Sequence, residues 1–193
     1  MIGAALQDGG GLPAGPFPCH ALRLLPETAY LMPKQSILFV CLGNICRSPL
    51  AEGVFRAVLA ERGMADDFLV DSAGMGDWHA GQAPDHRAIA VARANGLDIS
   101  GQQARAITES DFERFDLILG MDRKNIRELR EIAPDASRDR IHLFLDYAGS
   151  GAEEVPDPYF GDAAGFAETY RLIRAASEGL ADRLAKPGRG KPA

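Results

Sequence analysis

The sequence predicts an α/β fold: three layers, α-β-α, around a four-stranded parallel sheet with Rossmann-like crossovers. Three observations carry that prediction. Four short apolar runs, at 36–40, 68–73, 116–121 and 141–145, have the length and composition of strands buried on both faces. Segments of helical period separate them, which implies right-handed crossovers and a parallel sheet covered by helices on both sides. No internal repeat divides the 193 residues, a length that usually makes one domain.

The first run, over 36–40, reads SILFV without a polar break after its first residue. The segment 48–62 predicts a helix: Ser48 suits the N-cap, Pro49 the first helical position and Gly63 the stop. Leu50, Val54, Phe55, Val58 and Leu59 give that helix an apolar face. A second strand spans 68–73, and a helix over 84–94 stops at Asn95 and Gly96. A short helix over 108–114 has Thr108 as N-cap and Asp111 in its first turn. The third strand, 116–121, leads into a helix over 122–132 ended by Pro134, whose Arg/Glu pattern reads as a solvated face. The fourth strand covers 141–145, with His142 as a satisfied core histidine. The last helix spans 163–185 and places Phe166, Tyr170, Ile173 and Leu180 along one side.

These elements define a domain from 35 to 186. Residues 1–34 are rich in Gly and Pro and hold no sustained period, so they are expected to form a poorly ordered extension, with Met32 a candidate natural start. Residues 187–193 read as a disordered tail. A net charge of -6 argues against nucleic-acid binding, which calls for a basic stripe. No apolar run approaches the ~18 residues of a membrane span, and the N-terminus lacks the basic start of a signal peptide. Three cysteines, Cys19, Cys41 and Cys46, do not suit a secreted disulfide framework. The expectation is therefore a cytoplasmic protein, monomeric, with no nucleic-acid or membrane partner.

One stretch holds more chemistry than a strand-to-helix turn requires. Residues 41–48 read CLGNICRS, directly behind the first apolar run. A redox dithiol usually shows Cys-x-x-Cys, whereas the spacing here is Cys-x4-Cys. Two thiols with no nearby histidine do not complete a four-ligand zinc site, so no metal ligand is assigned. A phosphate cradle accounts for more of the residues. A loop entering a helix N-terminus aims backbone N–H groups at one point, and the helix dipole adds positive potential. Gly43 can take φ > 0, Asn44 tolerates it, and successive N–H groups then form an anion-binding nest. Arg47 supplies a planar charged fork matching two phosphate oxygens, and the same positive surroundings favour a thiolate at Cys41. A Walker A loop is excluded because no Gly-x4-Gly-Lys-[Ser/Thr] occurs.

Residues 39–55, FVCLGNICRSPLAEGVF, closely resemble the signature of the low-molecular-weight protein-tyrosine phosphatase family. The resemblance continues through DSAG at 71–74, WHAG at 78–81, FDLILGMD at 115–122 and DPYFGD at 157–162. It covers about 36–185 in the right order and spacing. It implies that Cys41 is the nucleophile of a phosphocysteine mechanism, that Arg47 holds the equatorial oxygens, and that Asp157 is general acid and then general base. Leu42, Gly43, Asn44, Ile45, Cys46 and Ser48 complete the phosphate-binding loop, with Asn44 as its brace and Ser48 hydrogen-bonded to the nucleophile. Trp78 and Tyr159 match the walls of the substrate cleft, while Phe160 stands where the family often has a second tyrosine. Cys46 matches a cysteine that pairs reversibly with the nucleophile on oxidation. Asp71 and Ser72 are expected to support the loop, and His79 and His86 to be surface or helix-start residues. No metal and no cofactor are implied, and the partners are phosphotyrosyl proteins.

Three other functions fit parts of this pattern. A thioredoxin-coupled arsenate reductase needs a further cysteine pair, and no cysteine follows Cys46. A protein-arginine phosphatase resembles this loop but carries Thr where this chain has Ile45, whose branched apolar side chain should crowd a phosphoarginine. A non-catalytic phospho-binding module would be expected to lose the nucleophile or the acid, and both Cys41 and Asp157 are present.

Overall fold

The computed structural model describes residues 35–151 and 154–185; the expected extension over 1–34, with Cys19, and the tail over 187–193 lie outside the described residues. Four strands, β1 (Gln35–Cys41), β2 (Phe68–Gly74), β3 (Leu117–Gly120) and β4 (Ile141–Leu143), pair in the order β2-β1-β3-β4, all parallel. Around them lie α1 (Arg47–Glu61), α2 (His86–Ala94), α3 (Glu109–Arg114), α4 (Arg123–Ile132), α5 (Phe144–Tyr147) and α6 (Ala163–Ala185). The chain leaves β1 for β2 on one side and returns to β3 on the other. The topological switch point is therefore at β1, and clefts in open α/β sheets form outside the carboxyl ends of the strands there. Cys41 is the last residue of β1.

Alternation along β1 divides the interior in two. Ile37, Phe39 and Cys41 enter the core shared with α1, α2, α5 and α6. Leu38 and Val40 enter the smaller core shared with Phe112 of α3 and Leu129 of α4. The helices thus cover both faces, as a buried parallel sheet demands. Phe39 meets Phe55 and Phe144 edge to face, with ring centroids 5.8 Å and 5.0 Å apart. Each such ring, fully buried, contributes about 1.5–3 kcal/mol relative to exposure.

Several expectations are corrected by tertiary contacts. The fourth strand stops at Leu143 rather than 145, because Phe144 and Leu145 both enter the same core. A strand would send them to opposite faces, whereas the helical turn of α5 buries them together. His142 is half-buried on the edge strand, its ring 4.7 Å from Tyr147, and is not a core histidine. α1 starts two residues earlier than expected, at Arg47 rather than Pro49, with Cys46 at the N-cap position and no side-chain cap, so Ser48 does not cap it. α2 starts at His86, capped by the Asp85 carboxylate, which accepts the Arg87 N–H at 2.8 Å. Short 3-10 turns at Ala65–Asp67 and Asp135–Arg140 were not visible in the hydrophobic period.

Candidate active site

The loop between β1 and α1 is shaped from outside. Its carbonyls are drawn away from the cleft: Cys41 and Leu42 accept from Met75 and Gly76 N–H, at 2.9 and 3.0 Å, and Ile45 accepts from Asp85 N–H at 2.8 Å. Among the described residues, no protein acceptor takes the N–H groups of residues 42–46, which leaves these donors available to an anion in the loop. Asn44 alone in the loop has left-handed backbone, with φ 54°. Its side chain stabilises that conformation by donating to Ser48 and Ser72 hydroxyls at 2.9 and 3.0 Å and accepting the Arg105 N–H at 2.9 Å. Gly43 is not left-handed, contrary to expectation. Its lack of a side chain instead admits His79, whose ring would lie 3.1 Å from a Cβ there. Gly74 serves the loop likewise, since a Cβ would come within 3.0 Å of the Asn44 and Gly43 backbone.

Ser48 is the hub beneath Cys41. Its hydroxyl lies 3.0 Å from Cys41 Sγ and 3.2 Å from the Ala73 carbonyl, while accepting from Asn44. One proton is available for the sulfur or the carbonyl, so a thiolate can claim it without any movement of the chain. This tertiary demand is what removes Ser48 from a capping role. Further back, Ser72 donates to Glu52 at 2.8 Å, and Arg56 holds the other Glu52 oxygen at 3.0 Å. Burial raises the Glu52 pKa, opposed in part by those two donors. A continuous polar chain therefore runs from Glu52 through Ser72, Asn44 and Ser48 to Cys41.

Arg47, the first residue of α1, is 3% exposed and lies at the cleft floor. Its Nη1 donates to Asp122 at 2.6 Å and to the Val155 carbonyl at 3.2 Å, and its Nη2 donates to Asp157 at 2.8 Å. Burial disfavours the charge, but Cys41, Asp157 and Asp122 outweigh it and raise the Arg47 pKa above its ordinary value. Asp122 serves twice, since its other oxygen caps α4 by accepting the Asn125 N–H at 2.7 Å. Cys46 is also buried, and its thiol is pushed up to about 12 by burial, with Asp85, Cys41 and Asp157 adding to the effect. It remains protonated at neutral pH.

A cleft of about 200 Å³ opens above this floor. Cys41, Leu42, Gly43, Ile45, Cys46 and Arg47 line its base, and Trp78, His79, Asp157, Tyr159 and Phe160 line its walls. Trp78 lies across Gly76, where any Cβ would strike its ring. Tyr159 and Phe160 meet edge to face at 5.0 Å. Cys41, Arg47, Asp157, the loop residues, Trp78 and Tyr159 are thus brought to one place. Ser48 and Asn44 lie just beneath the floor, and Asp71 pairs with Arg105, whose N–H holds Asn44.

Sequence reasoning missed His79, Phe160, Asp122 and Glu52. The adjacency of His79 to Trp78 and the place of Phe160 after Tyr159 were available signals. The Asp122–Arg47 and Glu52–Ser72 pairs join residues 75 and 20 positions apart and left no local mark. Among the described residues, no group of three His, Cys, Asp or Glu is arranged to hold a metal ion, and no helix is long and apolar enough to cross a membrane.

The family model for low molecular weight phosphotyrosine protein phosphatase matches residues 36–189. A Schizosaccharomyces pombe low molecular weight phosphotyrosine protein phosphatase is 44% identical over 136 residues, 69% of this chain and 86% of the relative. The Bacillus subtilis low molecular weight protein-tyrosine-phosphatase YfkJ is 41% identical over 152 residues, 78% of this chain and 96% of the relative. A crystal structure of an Entamoeba histolytica protein tyrosine phosphatase superposes with a TM-score of 0.75 at 36% identity, covering 78% of this chain and 96% of its own. By sequence and by fold alike, the chain belongs to the low molecular weight phosphotyrosine protein phosphatase family.

Proposed function

We infer that this chain hydrolyses phosphotyrosine in proteins through a phosphocysteine intermediate. One observation carries the reading: Cys41 Sγ, with Ser48 Oγ 3.0 Å away, shares a cleft with Arg47, Asp157 and the free loop N–H groups. Cys41 Sγ attacks phosphorus as the phenolic oxygen leaves, taking a proton from the Asp157 carboxyl. Arg47 and the loop N–H groups hold the equatorial oxygens as charge shifts. Water then attacks phosphorus, giving its proton to Asp157, and the thiolate leaves onto the Ser48 hydroxyl.

The Arg47–Asp157 contact has a consequence for binding. A phosphate dianion competes for the Nη2 donor, and Asp157 is released to serve the leaving oxygen. The charge compensation comes from Arg47 and backbone donors, so the mechanism calls on no cofactor.

The test compares phosphate release from a phosphotyrosyl and a phosphoarginyl peptide, with EDTA present, for wild type and Cys41→Ser. Tyrosine-selective turnover that survives EDTA and falls on the order of 10⁴-fold or more in Cys41→Ser is the expected result. Turnover that persists in the variant removes Cys41 as nucleophile. Arginine selectivity keeps the chemistry and overturns the substrate, through the room beside Ile45.

A further inference from the structure

Asp157 stands on a segment with no regular structure, between Glu154 and the start of α6, and its side chain is 41% exposed. Upstream the segment is fastened by Val155, whose N–H donates to the Met121 carbonyl at 2.9 Å. Downstream, the carbonyls of Tyr159 and Gly161 both accept from one side chain, Arg87, at 3.0 Å each. Arg87 is itself held from behind. Its Nε and Nη2 grip both oxygens of Asp85 at 3.0 and 2.9 Å, and its guanidinium carbon lies 4.6 Å from the Phe166 ring centroid on α6. Asp85 in turn donates its backbone N–H to the Ile45 carbonyl of the phosphate loop at 2.8 Å.

The chain of contacts is short: Ile45, Asp85, Arg87, then Tyr159 and Gly161. It joins the loop that would hold the phosphate to the segment that would hold the acid. Arg87 reaches neither Asp157 nor the cleft floor, and it is not among the residues lining the cleft. We propose that Arg87 is a positioning residue, setting the distance between the Asp157 carboxyl and the oxygen leaving the phosphate loop. The proposal rests on the reading of Asp157 as general acid. A planar fork is the side chain suited to this task, because it meets a carboxylate with one edge and two carbonyls with the other.

In the step concerned, the S–P bond forms as the P–O bond breaks, and the Asp157 proton passes to the departing oxygen. Misplacing Asp157 penalises that step in proportion to the basicity of the leaving oxygen. A phenol as basic as tyrosine needs the proton, whereas a strongly acidic nitrophenol departs without it.

The test measures kcat/KM for phenyl phosphate and 2,4-dinitrophenyl phosphate in wild type, Arg87→Ala, Arg87→Lys, Asp157→Asn and Arg87→Ala/Asp157→Asn. Arg87→Ala should lower kcat/KM for phenyl phosphate by about 10- to 100-fold, a part of the roughly 10²–10⁴ supplied by general acid catalysis. The dinitrophenyl ester should change less than about 3-fold, because its chemistry bypasses the acid. In the Asp157→Asn background, Arg87→Ala should add nothing, since two residues acting through one proton transfer are not additive. Arg87→Lys keeps the charge with a single point of donation, and should retain the fold and show the same selective loss in smaller measure. Equal loss on both esters, or additive loss in the double variant, overturns the proposal and makes Arg87 a structural residue. If Asp157→Asn itself shows no dependence on the leaving group, the acid assignment fails first, and this proposal with it.

Discussion

At the floor of the cleft, Cys41, Asn44, Arg47 and Ser48 are at most 3% exposed, and each is held by hydrogen bonds or ion pairs from other elements. At the rim, Trp78, Tyr159 and Phe160 are 66%, 40% and 98% exposed, and Phe160 has Tyr159 as its ring partner. The floor is largely preorganised: its side chains are already fixed by hydrogen bonds from other elements, and the exchange of Asp157 for phosphate at Arg47 is the one rearrangement binding calls for. The rim offers apolar surface that is still in water and becomes useful only when something covers it. Substitutions at the floor should therefore act on kcat, and substitutions at the rim on KM.

After loss of Cys41 itself, the largest effect is expected at Arg47. Lysine keeps the charge but cannot reach Asp122, Asp157 and two phosphate oxygens from one planar group. Arg47→Lys should lower kcat/KM for a phosphotyrosyl peptide by about 10²–10³-fold, the range for losing an oriented donor to transition-state charge. Steady-state kinetics with circular dichroism to verify folding tests this. A loss confined to KM would contradict the division between floor and rim.

A smaller effect is expected where the floor is supported from outside. Arg105, whose N–H holds Asn44, is gripped by Asp111 at 2.9 and 3.1 Å, and Asp111 is 3% exposed. Burial works against ionisation of Asp111, but hydrogen bonds from Arg105 and the Thr108 N–H outweigh it and lower its pKa. Because the folded value lies below the unfolded one, near ~3.9, the unfolded chain binds the extra proton between them. The contribution is therefore present above about pH 4 and is lost as pH falls through the folded value. Asp111→Asn should cost about 1–3 kcal/mol at pH 7 and flatten the acid limb of stability. Thermal melts across pH 2 to 7 measure both. An unchanged acid limb would place the sensitivity elsewhere, for example at Asp85, another carboxylate lowered by an arginine, Arg87.

How much of this could be read beforehand follows the same division. The floor was legible because thiol, brace and cation fall within eight consecutive residues, and their types have few other uses together. Its supports were not: Arg47 reaches Asp122 and Asp157 across 75 and 110 positions, and no local pattern marks such pairs. Ser48 shows local and tertiary demands in conflict, since a serine before proline reads as a cap until a thiol claims its hydroxyl. The sheet was legible from four apolar runs, but β4 was overextended. A run of buried residues does not reveal whether two neighbours share one face or alternate. At the rim, His79 was placed at the surface because its closeness to Gly43 is created by the fold alone.

The smallest effect is expected at Phe160, and it tests the rim most directly. Its ring is nearly all in water, so removing it uncovers little and creates no cavity. Phe160→Ala should leave stability within about 0.5 kcal/mol of wild type. If the ring covers part of a bound peptide, its removal forfeits an aromatic contact of about 0.5–1.5 kcal/mol. That amounts to a rise in KM of roughly 2- to 13-fold for a phosphotyrosyl peptide, with kcat unchanged. Phenyl phosphate, which reaches the floor but has nothing beyond the ring, should show less of the change. A fall in kcat would mean that Phe160 helps to hold Asp157, three residues away, and that the rim takes part in the chemistry. No change on either substrate would mean that the peptide leaves the cleft on the side of Trp78 and His79 instead.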